Sequence, residues 1–167
     1  MKFNYQQISD TAYKLHKKNM LDEAEKLYKE LLNIRPDDVN LLNLIGLLYL
    51  SKHNTIEAIN YLSKAYILKK SAYIASNLAK AYYLNSEPEK AIKIYKQALS
   101  YEENDDIYYS IALAYKKLSD YENIILNYKK AIEINPKNYS ALYNLSLAYK
   151  DIKDIDKKLR EYNKKMR

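Results

Sequence analysis

Apolar residues recur along the chain at helical spacing. In DDIYYSIALAYKK, Tyr108, Ile111, Ala112 and Tyr115 follow i, i+3, i+4, i+7, and in YENIILNYKKAIEI, Ile125, Tyr128 and Ile132 follow i, i+3, i+7. Each pattern predicts an amphipathic helix, and the helices come in pairs that themselves recur. Tyr28, Leu62, Tyr95, Tyr128 and Tyr162 are 34, 33, 33 and 34 residues apart. Leu15, Tyr49, Tyr82, Tyr115 and Tyr149 keep the same intervals, as do Ala12, Gly46, Ala79, Ala112 and Ser146. A fixed period of this length marks units that bury their apolar faces on one another. The phase predicts a single all-α array over residues 1–167, with units 5–38, 39–71, 72–104, 105–138 and 139–167 and about ten helices.

Small and large residues alternate in a way that explains the packing. Position 8 of every unit is Ala, Gly or Ser, and position 20 is Ala in the first three. These small side chains let paired helices approach closely, while large residues at positions 11 and 24 fill the flanking space. The second helices have start signals. Ser86 with Glu89 and Ser119 with Glu122 read as capping boxes, and Asn19 with Asp22 and Asn54 with Glu57 as weaker versions. Pro88 falls in a first helical turn, where its missing N–H costs nothing. Asp22–Lys26, Glu25–Lys29 and Glu89–Lys93 have the spacing of surface ion pairs.

Composition narrows the chemistry. The chain of 167 residues has no Cys, two His and one Gly. That excludes thiolate metal sites, cysteine nucleophiles, His-rich metal centres and glycine-rich phosphate loops. No nucleophile–base–acid set is present, so the chain is expected to be no enzyme and to need no cofactor. His16 and His53 read as surface imidazoles near the end of a first helix and in the turn after it. The acidic run EENDD at 102–106 lacks the spacing of a calcium loop and suits a helix start. The start of the chain shows no signal-peptide pattern, and the longest apolar run, Leu44–Leu50, is too short to span a bilayer, so a cytoplasmic location is expected.

The 34-residue helix–turn–helix with small residues at positions 8, 20 and 27, large residues at 11 and 24, and Pro at 32 resembles the tetratricopeptide repeat. The second unit shows it best, in Leu42, Ile45, Gly46, Tyr49, Ala58, Leu62 and Ala65. No unit carries Trp at position 4, Lys70 and Glu103 replace Pro at 32, and Ile124 replaces Ala at position 20 of the fourth unit. The resemblance implies a right-handed α-solenoid acting as a protein-interaction module, with peptides lying along the first helices.

Helix geometry locates that surface independently. Positions 4, 7, 8 and 11 share one face of a first helix, and positions 2, 6, 9 and 13 point the other way. Positions 5 and 12 are added by the resemblance. The candidate peptide-binding residues are Tyr13, Asn40, Asn43, Leu44 and Leu47 in the first two units, Tyr73, Asn77 and Lys80 in the third, and Tyr109, Lys116, Tyr143 and Asn144 in the last two. The helix LLNLIGLLYL is apolar nearly all round, which puts Leu44 and Leu47 in the groove as a docking spot. Lys80, Lys116 and Lys150 favour a ligand with acidic groups. Family members that clamp a C-terminal carboxylate use Lys and Asn at positions 5 and 9. Ser9 with Tyr13, Asn43 with Leu47, and Ser76 with Lys80 do not match, so no such clamp is expected.

The array's ends differ from its middle. With residues 1–4 counted in the first unit, the five units carry net charges of 0, +3, 0, 0 and +4. In the last, Lys158 and Lys165 replace the small residues at positions 20 and 27, while Ile155, Leu159, Tyr162 and Met166 keep one apolar stripe. This predicts a capping last helix. The first helix has no cap, which allows self-association. The expected function is non-catalytic binding of a peptide segment or helix in the concave groove. Two alternatives stand beside it: an RNA-binding helical repeat, given the +7 charge and groove tyrosines, and an accessory subunit of a larger enzyme complex.

Overall fold

The computed structural model describes the backbone of residues 5–165 and the side chains of residues 5–157. Among the described residues there are nine helices and no strand. Two compact units divide the chain, at residues 1–101 and 102–167.

The first unit holds α1 (Tyr5–Lys17), α2 (Leu21–Ile34), α3 (Val39–Ser51), α4 (Thr55–Leu68), α5 (Ala72–Leu84) and α6 (Pro88–Leu99). Short turns make each pair a hairpin, and α3 also touches α5, two elements on. The core runs through the hairpins, with Tyr28, Leu31, Ile45, Leu48 and Leu62 fully buried. Each such aliphatic side chain contributes about 1.5–3 kcal/mol of burial. The small residues perform as the pattern requires: Ala12, Ala24, Ala58, Ala79 and Ala91 have no exposed surface. Gly46 is the tightest contact. A Cβ there would lie 2.4 Å from Leu62 Cγ. The exposed positions of α1 are polar apart from Tyr13.

The second unit holds α7 (Asp105–Lys117), α8 (Tyr121–Ile134) and α9 (Tyr139–Lys165), around Ala112, Ile124, Tyr128, Ala131 and Ala141. Two carboxylates of its acidic start, those of Glu103 and Asp105, are engaged in local structure. Tyr108 donates to Glu103 at 2.9 Å, Asn135 and Asn138 donate to Asp105 at 2.8 and 2.9 Å, and Asn104 caps the Asp106 N–H.

First helices begin at Tyr5, Val39, Ala72, Asp105 and Tyr139, the first residues of the five sequence units. Their turns differ from the expected capping boxes. Asn19, His53, Ser86 and Ser119 all have positive φ, between 56° and 61°. In each turn the next residue's N–H reaches back to the carbonyl five residues earlier: Met20 to Leu15, Asn54 to Tyr49, Glu87 to Tyr82, and Asp120 to Tyr115. The left-handed residue's own N–H binds the carbonyl three residues back. These are Schellman motifs closing the first helices. Ser86, Ser119 and Asn19 therefore end one helix instead of starting the next. The cap falls one residue later, and Asp120 accepts from the Asn123 N–H. Only Asn54 caps as expected, accepting from the Glu57 N–H at 3.2 Å.

The expected tenth helix is not separate. The fifth unit forms one continuous helix of 27 residues, α9. Its position 15 is Lys153, where the other four units place Asn, His or Ser in the left-handed conformation. Lysine gains nothing there from a local side-chain hydrogen bond, and the backbone stays helical. The expected capping features at Lys158, Leu159, Tyr162, Lys165 and Met166 lie outside the described side chains.

The ion pairs also rearrange. Glu25 pairs with Lys29 at 2.6 Å as expected, but Lys52 joins both Asp22 and Glu25 at 2.6 Å, and Tyr49 donates to Glu25 at 2.7 Å. This network ties the first hairpin to the second. Burial pushes the Glu25 carboxyl up, but hydrogen bonds from Lys29, Lys52 and Tyr49 outweigh it and hold the pKa at about 2. In the third hairpin the ion pair is Glu87–Lys90.

Candidate functional site

The first unit contains a cleft of about 410 Å³ built on α1, α3 and α5. Position 9 of three successive repeats faces it, as Tyr13, Leu47 and Lys80. Leu44, Leu50 and Leu84 add aliphatic surface, and Tyr73 stands at the rim, 63% exposed. The polar end is formed by His16, Lys17 and Ser51. The volume lies in the usual range of a ligand pocket. Leu44 and Leu47 are each half-buried and line the cleft, and Leu44 also packs against the core. Their neighbours on α3, Ile45 and Leu48, supply the core side of the same helix.

His16 is not a free surface imidazole. Its Nε2 lies 3.3 Å from Ser51 Oγ, and its ring meets Tyr28 edge-on at 6.2 Å. Burial, with Lys17 beside it, pushes its pKa below the ordinary value. Lys17 sits 5.8 Å from the centre of the Tyr13 ring. The sequence placed His16, Lys17, Leu50, Ser51 and Leu84 at groove-facing positions 12 and 13 without singling them out. Their common signal was position in the repeat, not residue type.

Of the twelve candidates, the cleft brings together Tyr13, Leu44, Leu47, Tyr73 and Lys80. Asn40 is exposed and lies outside it. Asn43 and Asn77 differ from the expectation of free groove amides. Asn43 is 4% exposed, and its carbonyl accepts from Asn77 Nδ2 at 2.9 Å. The second unit repeats the device at the same positions, 5 and 6 of adjacent repeats: Asn144 Nδ2 reaches Tyr109 Oη at 3.4 Å and the Ser140 carbonyl at 2.9 Å. These side chains hold neighbouring first helices in register. Tyr109 also packs on Tyr128, with ring centres 5.7 Å apart. Tyr143 is exposed. Lys116 and Asn144 border a crevice of about 20 Å³, room for a water and no side chain.

Among the described residues, no group of three or more His, Asp or Glu side chains is placed to hold a metal ion, and no helix is long and apolar enough to cross a membrane.

The comparisons agree with this architecture. Residues 74–107, 106–138 and 127–160 each match a family model of the tetratricopeptide repeat, and together these matches span more than half the chain. Anaphase-promoting complex subunit CDC16 of Saccharomyces cerevisiae is 30% identical over 132 residues, 74% of this chain and 16% of that protein. BBSome complex member BBS4 of Bos taurus is 24% identical over 140 residues, 83% of this chain and 26% of that protein. The chain thus spans about a sixth to a quarter of the length of these relatives. Among solved structures, a crystal structure of MamA protein superposes with a TM-score of 0.82 at 26% identity, covering 98% of this chain and 91% of that one. The repeat phase, the stacked hairpins and the family matches coincide, and the chain belongs to the tetratricopeptide repeat family.

Proposed function

We propose that the chain is a non-catalytic receptor that holds a segment of a partner protein, an extended peptide or a helix, in the cleft on α1, α3 and α5. One observation carries this reading: Leu44 and Leu47 are only half-buried and offer apolar side-chain surface to a cleft of about 410 Å³. A rigid helical wall presents that surface already ordered, so the receptor loses little entropy on binding. These two relatives are, by name, members of multiprotein complexes, which supports a role as a subunit or adaptor within an assembly.

Photo-crosslinking tests the reading. A photoreactive amino acid replacing Tyr73 at the cleft rim should capture a protein in cells of the source organism. The same group replacing Ile67, an exposed residue outside the cleft, should not. Leu47→Asp should remove the adduct while circular dichroism stays unchanged. An adduct at Tyr73 that survives Leu47→Asp argues against the cleft as the binding site. An adduct destroyed by ribonuclease favours the RNA-binding alternative, for which the exposed Tyr13 and Tyr73 beside Lys17 and Lys80 are the supporting features.

A further inference from the structure

The cleft's charge is one-sided. Lys17, Lys80 and the titratable His16 line it, and no carboxylate does. The acids of the first two hairpins lie outside the lining. Asp22 and Glu25 are paired with Lys52 and Lys29, Asp38 accepts from Tyr5 and the Leu41 N–H, and Asp10 accepts from Gln6 at 2.9 Å outside the lining. Lys17 has the Tyr13 ring as its neighbour, and no carboxylate forms an ion pair with Lys80 among the described residues.

We infer that the cleft selects an acidic amphipathic segment: leucine-class side chains seated against Leu44, Leu47, Leu50 and Leu84, with glutamate or aspartate beside them facing Lys17 and Lys80. The inference rests on the reading of this cleft as a protein-binding site. Aliphatic floor and cationic rim belong to one cavity, so a ligand matching only one of them leaves the other unsatisfied. A basic segment of the same apolar pattern brings like charges together at the rim. A nucleic-acid strand would meet the cations and the Tyr13 and Tyr73 rings but would leave Leu44, Leu47, Leu50 and Leu84 without an apolar partner.

The test uses three synthetic peptides with identical leucine spacing, whose flanking positions carry glutamate, glutamine or lysine. Binding to the full chain is followed by fluorescence anisotropy. The glutamate peptide should bind about tenfold tighter than the glutamine peptide, and the lysine peptide weakest. Raising the salt should shrink the difference. Lys17→Gln and Lys80→Gln should each reduce it about threefold without changing the helical spectrum. Equal affinity for the glutamate and glutamine peptides, both lost in Leu47→Asp, overturns the charge selection and leaves the docking cleft standing. No binding by any of the three overturns both. Tighter binding of an oligouridine than of the glutamate peptide overturns the choice of a protein ligand.

Discussion

Asn77 donates its side-chain amide to the carbonyl oxygen of Asn43 at 2.9 Å, joining α5 to α3 across one repeat boundary. Asn43 is nearly sealed from solvent, while Asn77 is half-buried. Truncating Asn43 loses this bond and the packing of a buried side chain. Asn43→Ala should lower stability by about 1–3 kcal/mol, read as a fall in the urea midpoint. Asn40→Ala, at an exposed site on the same helix, should change little.

Gly46 is required by space, not by backbone conformation. Its helix would gain about 1 kcal/mol from alanine on propensity alone. The added Cβ would instead meet Leu62 Cγ at 2.4 Å, inside a core where Leu62 is wholly buried. Gly46→Ala should therefore destabilise by about 1–3 kcal/mol. A thermal midpoint above that of the wild type would show that α3 and α4 can separate without loss.

The four left-handed turns offer a route to a more stable chain. Ser86 and Ser119 hold φ of 59° and 56° at positions that glycine occupies without a Cβ penalty. Ser86→Gly and Ser119→Gly should each raise stability by about 0.5–1 kcal/mol in chemical denaturation. Their effects should add, since they lie in different hairpins.

Acid should loosen the first two hairpins through Glu25. Its pKa in the fold is about 2, below the ordinary carboxylate value, so its pairing contributes fully above that ordinary value and is lost as pH falls toward 2. Urea midpoints of the wild type should drop across this window. Glu25→Gln should flatten that slope. An unchanged slope would place the acid sensitivity in other carboxylates.

The repeat phase alone located every first helix, because small residues at position 8 and large ones at position 11 recur in all five units. It also drew out Leu44 and Leu47, since a helix apolar on every side must show part of itself outside the core. Position within one helix was not enough for Asn43 and Asn77. Their angles point toward the groove, but the neighbouring repeat covers them, and that register is a property of two helices together. Three of the four second helices start one residue later than their signals imply, because serine and asparagine serve both as helix starters and as tolerated left-handed residues. Hydrogen bonds to the carbonyls of Leu15, Tyr49, Tyr82 and Tyr115 decide between those roles. His16 was underestimated for the same reason as the amides: its partners, Tyr28 and Ser51, come from two other helices.

The unbroken α9 has a mechanical consequence. At 1.5 Å per residue its 27 residues make a rod about 40 Å long, where each other repeat folds back on itself after 13 residues or so. Lys153 is the joint that never bends. A residue tolerant of the left-handed basin at that position would remove one obstacle to the fold-back that Asn19, His53, Ser86 and Ser119 make in the other repeats.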